Sequence, residues 1–355
     1  MEGFKAFLKR KNIEISAKRY GIDALGAMAQ GLFCSLLIGT IIKTLGQQLS
    51  IQYLIDIGAY AMSVSGPAMA VAIGYALKAD PMVLFSLAAV GWAANAEGGA
   101  GGPLAVLIIA IIAAECGKMV SKETKVDILV TPGVTILIGV ALAKLIAPPI
   151  GTVASAFGLV IDNATKLQPF WMGIAVSVLV GIALTLPISS AAICSVLGLT
   201  GLAGGAAVAG CCAQMVGFAV MSFKENRWGG LVSQGLGTSM LQMPNIVKNP
   251  RIWIPPTLAS AITGPIATCV FHLQMNDPAG GVASGMGTCG FVGQIGVWSG
   301  WVNDVALGVK AAITPFDWLG MALICFILPA ILSWFFCEML RKIGWIREGD
   351  LVLPQ

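Results

Sequence analysis

Three short stretches of this sequence gather side chains able to recognise a polar molecule. The first is Trp92-Ala-Ala-Asn95-Ala-Glu97, followed by Gly98-Gly-Ala-Gly-Gly-Pro103. An ionised Glu at the centre of an apolar helix costs about 3 kcal/mol in lipid, so it persists where something binds it or water reaches it. The glycines beside it allow a bent, closely approached backbone. The second stretch is His272-Leu-Gln274-Met-Asn276-Asp277-Pro278, beside Gly280-Gly281. Donors and acceptors in a row suit hydroxyl recognition. The third is Leu184-Thr185-Leu186-Pro187-Ile188-Ser189-Ser190, running on to Gly204-Gly205. Hydroxyls next to a proline break either satisfy freed backbone groups or contact a ligand. The candidate solute contacts are therefore Asn95, Glu97, Thr185, Ser189, His272, Gln274 and Asn276.

Each stretch also has a plainer reading. Glu97 can be a hydrated surface carboxylate. A helix starting at Arg251 rises about 30 Å by His272, which would place that cluster in an outer loop. Gln214, Gln242, Asn245 and Gln294 stand in apolar runs and read as interhelical hydrogen-bond formers. Asn303-Asp304, between Trp301 and Trp318, reads as a hydrated pair at headgroup depth. Lys43 and Lys144 can snorkel from helix ends. Gly285-Met-Gly287-Thr-Cys-Gly290 fits a dinucleotide fingerprint in spelling only, because its flanks are apolar and Gly-rich instead of a strand of a soluble βαβ unit. Close packing or a re-entrant turn explains those glycines better. The single His and nine Cys without a CxxC pair give no metal spacing and no secreted disulfide framework. We expect no metal, no cofactor and no catalytic group.

The elements that must position these residues belong to a membrane. The 355 residues are 57% hydrophobic and 11% charged, against roughly 25% charged in soluble domains. Apolar runs near the span length of about 20 residues occur at 22–45, 54–77, 103–117 with its flank, 129–147, 171–186, 252–271 and 317–339. Shorter Gly- and Pro-rich apolar pieces lie between them, with breaks at Pro148-Pro149, Pro187, Gly204-Gly205, Pro244, Pro255-Pro256, Gly264-Pro265 and Gly280-Gly281, and predict re-entrant hairpins or broken helices. The fold class is all-α integral membrane, with about ten transmembrane helices plus such hairpins. We divide the chain into a basic amphipathic N-terminus (1–20), a scaffold or interface half of continuous helices (21–165), a transport half with the breaks (166–340) and a tail (341–355). Positive charges precede the first run (Lys5, Lys9, Arg10, Lys11, Lys18, Arg19) and follow the last (Arg341, Lys342, Arg347). By the positive-inside bias both termini are cytoplasmic and the plasma membrane is crossed an even number of times. The N-terminus is also suited to lie on anionic lipid. No nucleic-acid-binding module is present.

The segment Lys248-Asn-Pro-Arg-Ile-Trp-Ile-Pro-Pro-Thr-Leu-Ala-Ser-Ala-Ile-Thr-Gly264 carries a resemblance. With the Pro187 segment about sixty residues upstream, it is similar to the IIC membrane component of the bacterial phosphotransferase sugar-uptake system. It looks closest to the stand-alone IIC-like branch that includes the perfringolysin toxin regulator. The resemblance implies a homodimer whose protomers have an interface half and a moving transport half. It implies a sugar or sugar-like solute, phosphorylated by separate IIA and IIB proteins, so that this chain is itself no enzyme. IIC hairpins typically carry Gly-Ile-Thr-Glu, and the matching stretch here reads Ala183-Leu-Thr185-Leu186-Pro187, without the acid. Three readings follow: a IIC-type carrier, a membrane sensor or regulator without turnover, and an ion-coupled secondary carrier.

Overall fold

The computed structural model describes residues 2–276 and 281–353. Among these the structure is helical, with one isolated β-bridge between Gly201 and Met275. Asp277, Pro278 and Gly280 of the second candidate stretch lie outside the described residues. Two compact units divide the chain at Val153 and Ala154.

The first unit opens with α1 (Glu2–Arg10), an amphipathic helix, and α2 (Arg19–Leu49). The chain then returns as α3 (Gln52–Ser63) and α4 (Ser65–Ala76), which meet at a 47° bend. Small residues let the return path lie close. Gly46 faces Ile55, Gly39 faces Gly58, and Gly31 faces Ala68. α5 (Pro81–Gly98) and α6 (Gly102–Val120) follow. By length and composition the stretch Pro81–Val120 counts as one candidate span of 40 residues. It is in fact a hairpin, because Gly117 lies against Val83 and Gly102 against Asn95. The reversal falls at Gly99, whose φ of +49° belongs to the left-handed region that glycine adopts without strain.

α7 (Asp127–Thr165) is a single helix of 39 residues that begins in the first unit. Its course differs from the sequence expectation of a break at Pro148-Pro149. Proline in a helix removes only the bond to the carbonyl four residues back and bends the chain, and the helix runs on through both. Lys144 is therefore mid-helix, and not at an end from which it could snorkel.

The second unit is built around α10 (Gly201–Met221), of which 94% of the most apolar window is buried. α8 (Pro169–Thr185) and α13 (Ile254–Pro265) pack on it. The contacts are backbone to backbone: a Cβ on Gly210 would strike the Ser177 carbonyl, and one on Gly264 would strike Gly173. Such close approach is how membrane helices associate without a hydrophobic driving force. The unit ends with α14 (Val292–Ala306) and α15 (Pro315–Lys342).

Among the described residues, five helical stretches are long and apolar enough to cross a membrane, or six if the bent pair counts as one span; the hairpin Pro81–Val120 is one of these stretches, although it holds two helices of 18 and 19 residues. The expectation from the sequence was about ten crossings. The remaining apolar helices are shorter than one span, as with α8, or interrupted. Between α8 and α10 lies the short helix α9 (Ser190–Val196). Between α10 and α13 the chain is broken into α11 (Phe223–Val232), a π turn, a 3-10 turn at Ser239–Gln242, α12 (Met243–Lys248) and a second 3-10 turn at Pro250–Trp253. The breaks at Pro187 and before Pro244 fall where the sequence places them, whereas Gly204-Gly205, read as another, lie inside the continuous α10.

Candidate functional site

Pro187 has no N–H and holds the residue before it extended. Leu186 accordingly takes ψ 157°, and α8 stops at Thr185. That stop leaves the Thr185 side chain, fully buried, at the end of a helix and bonded to two other elements. Its Oγ1 shares a hydrogen bond of 2.7 Å with Ser239 Oγ, at the start of the 3-10 turn. It also donates at 3.3 Å to Gln214 Oε1 from the middle of α10. Gln214 Oε1 accepts from Trp253 Nε1 at 3.0 Å, and Gln214 Nε2 donates to Thr257 Oγ1 at 3.3 Å. Thr257 Oγ1 in turn donates to the Trp253 carbonyl.

This cluster differs from the other buried hydroxyls of the unit. Ser260 and Thr263 return their protons to the carbonyl four residues back, and Ser177 bonds the Ser260 carbonyl. Those bonds tie backbone. Thr185 also reaches the Gly181 carbonyl four residues back at 3.4 Å, but in addition it joins Ser239 and Gln214, side chain to side chain. Thr185, Gln214 and Ser239 are buried, while Trp253 and Thr257 are half-buried. The group is neutral, with hydroxyls that can both give and accept, an amide that can do both, and an indole face. The bonds within the group run between hydroxyl, amide and indole groups, with no carboxylate or imidazole among them.

The other candidates have local partners. Ser189 caps α9, its Oγ accepting from Ala192 N at 3.2 Å, which is an ordinary cap role. The next residue, Ser190, donates to the Gly285 carbonyl at 2.8 Å. Gly285 touches the Ser190 backbone, while Gly287 and Gly290 have φ of +55° and +51°. The dinucleotide-like spelling is thus a set of tight turns against α9. His272 is exposed, with a φ of +47°. Gln274 and Asn276 are half-buried; Asn276 Nδ2 donates to Gln274 Oε1 at 3.2 Å and to Asp304 Oδ2 at 2.6 Å. Asp304 is therefore bonded by an amide as well as half-buried. Among the described residues no hydrogen bond joins this group to the Thr185 cluster.

Asn95 and Glu97 belong to the first unit. Glu97 is ion-paired with Lys144 at 2.7 Å, with side-chain exposures of 36% and 70%. Asn95 sits against Gly66 and Gly102, at the reversal between α5 and α6.

The sequence reading singled out Thr185 and, as a helix-to-helix bonder, Gln214. It passed over Ser239, Trp253 and Thr257. The available signal was Thr238-Ser239 inside a Gly-rich break before Pro244, and Trp253 at the entry to α13.

A family model described as Phosphotransferase system, EIIC matches residues 22–353. Neither the curated proteins nor the solved structures give a match.

Proposed function

The chain belongs to the Phosphotransferase system, EIIC family, and from that premise we propose that it carries a sugar or sugar-like polar solute across the plasma membrane. The observation that carries this reading is the neutral Thr185–Gln214–Ser239 cluster, with Trp253 and Thr257 at its edge. Hydroxyls and an amide that bond neighbouring side chains can exchange those bonds for solute hydroxyls at little cost. A half-buried indole adds an apolar face of the kind binding sites use for orientation. Phosphorylation of the solute would fall to separate IIA and IIB proteins, and two copies of the chain would form the working assembly. The scaffold and transport roles expected of the two halves belong to the same proposal.

The test is uptake and equilibrium binding with a radiolabelled sugar panel in proteoliposomes, with and without added phosphotransfer proteins. We expect saturable binding of at least one sugar. Thr185→Val should weaken it tenfold or more, and Thr185→Ser by less than threefold. A panel in which nothing binds saturably would sink the reading.

One observation favours a second reading, a membrane sensor or regulator. The stretch Ala183–Pro187 lacks the acid that IIC hairpins typically carry, and the cluster is uncharged. Under that reading solute binds but no uptake follows, and deleting the protein changes expression of other genes while sugar uptake stays normal. An ion-coupled carrier would be recognised by uptake of unmodified solute that requires an ion gradient.

A further inference from the structure

The chain does not run free after α15. Gly344 at φ +74° and Gly349 at φ +90° turn it twice, and Ile346 and Leu351 are buried at 2% and 0% exposure. Four side-chain amides close on its main chain. Asn226 Nδ2 donates to the Leu351 carbonyl at 2.7 Å, and Asn226 Oδ1 accepts from Leu353 N at 2.9 Å. Gln242 Nε2 donates to the same Leu351 carbonyl at 3.0 Å, and Asn245 Nδ2 to the Val352 carbonyl at 2.8 Å. Asn249 Nδ2 donates to the Trp345 carbonyl at 3.0 Å and to Asp350 Oδ2 at 2.8 Å. The Arg251 guanidinium stands 5.2 Å from the Trp345 ring. The chain is thus held as a turned peptide, with amides on its backbone and the Ile346 and Leu351 side chains buried.

The amides doing the holding are not on the surface. Gln242 is fully buried, and Asn245 is 4% exposed. Their remaining groups are already committed, since Gln242 Nε2 also donates to Gln234 Oε1 at 2.9 Å and Asn245 Nδ2 to Gln242 Oε1 at 2.8 Å. Gln234 in turn donates to Ser222 Oγ. Without the tail carbonyls, buried donors would be left without acceptors, which a folded protein avoids by rearranging or admitting water. Gln242 is also the last residue of the 3-10 turn that begins at Ser239. One turn of four residues therefore carries the tail contact at one end and the Thr185 contact at the other.

We propose that residues 343–353 are a positioning strap, a peptide the protein binds to itself, which fixes the Ser239–Gln242 turn and so sets Ser239 against Thr185. Gln242, Asn226, Asn245 and Leu351 are positioning residues in this scheme; none need touch the solute. The solute arm of the test rests on the carrier or sensor reading above, while the exchange arm does not.

The experiment uses the full chain in lipid nanodiscs, a chain stopped after Ile343, and a synthetic peptide of residues 344–355. Backbone hydrogen exchange over residues 234–246 is the first readout. We expect exchange to rise at least tenfold in the shortened chain, to return when the peptide is added, and to stay high when the peptide carries Leu351→Asp. Solute binding should fall at least tenfold and recover in parallel. If the shortened chain does not fold, full-length Leu351→Asp and Asn226→Asp supply the same readout. Unchanged exchange in these chains overturns the strap whatever the solute does. Raised exchange with undiminished solute affinity overturns its link to the cluster. If the full chain binds no sugar at all, the carrier proposal fails and the exchange arm alone decides whether the strap fixes the turn.

Discussion

Thr185 and Glu97 are both polar groups in apolar runs, yet their surroundings differ. Thr185 is fully buried, with two side-chain partners from other elements. Removing its hydroxyl leaves Ser239 and Gln214 each short of a bond, and an unmet buried group costs about 1–3 kcal/mol. Thr185→Val should therefore lower thermal stability in detergent, as well as solute affinity. Glu97 is more than a third exposed and already paired with Lys144. Pairs of that kind contribute about 0–1 kcal/mol. Glu97→Gln is expected to change solute affinity less than twofold; a tenfold loss would move the site into the first unit. The sequence made Thr185 visible because a hydroxyl beside a proline break invites the question of what it bonds. It could not reveal Ser239, which lies 54 positions away from Thr185; only the folding back of the broken α10–α13 connection brings the two together.

At the scale of elements, close backbone contact decides which glycines matter. A methyl on Gly210 would strike the Ser177 carbonyl between α8 and α10, whereas one on Gly133 of α7 meets nothing within 4 Å. Overpacking of this kind costs about 1–3 kcal/mol, and a helical Gly→Ala without a clash gains about 0.5–1 kcal/mol. Gly210→Ala should lower, and Gly133→Ala slightly raise, the midpoint of thermal or detergent-induced unfolding. The loops of the first unit make a pH prediction. Lys122 bonds Asp80 at 2.5 Å and, together with the lesser help of Ser121, holds its carboxyl below the ordinary range. Lys11, then Arg10, does the same for Glu123. A carboxyl depressed in the folded state contributes stability that is complete above its unfolded value, about pH 4, and is lost as pH falls through the lower folded value. Protection of the 118–127 loop, taken as its exchange relative to the intrinsic amide rate at each pH, should hold from pH 7 to about 5 and fall below about 4. Loop and break positions were readable because Pro and Gly act locally, as at Pro187. Pro148-Pro149 misled because the same residues inside a long apolar helix remove only two backbone bonds and need not end it.

For the molecule as a whole, family and architecture agree: a multi-pass helical membrane component of the phosphotransferase type. Composition alone made the membrane legible. Charge placement makes a further prediction about sidedness. In the first unit, α1 and the 118–123 loop are tied by Arg10 and Lys11 to Glu123, and Lys118 reaches the Asn12 and Leu77 carbonyls. Three basic segments distant in sequence thus share one end of that unit. In the second unit, Lys224 and Arg341 pair with Glu338 and Glu225 close to the strap. By the positive-inside bias both ends face the cytoplasm. Tags at the N- and C-termini should be open to protease in inside-out vesicles and protected in right-side-out ones; protection of either tag in inside-out vesicles would reverse the assignment for that end. The neutrality of the Thr185 cluster has a last consequence. A membrane potential does about 2.3 kcal/mol of work per 100 mV on each elementary charge that crosses. Thr185, Gln214, Ser239, Trp253 and Thr257 present it with none, so if the proposed carrier moves a sugar held among them, voltage has no grip on that site.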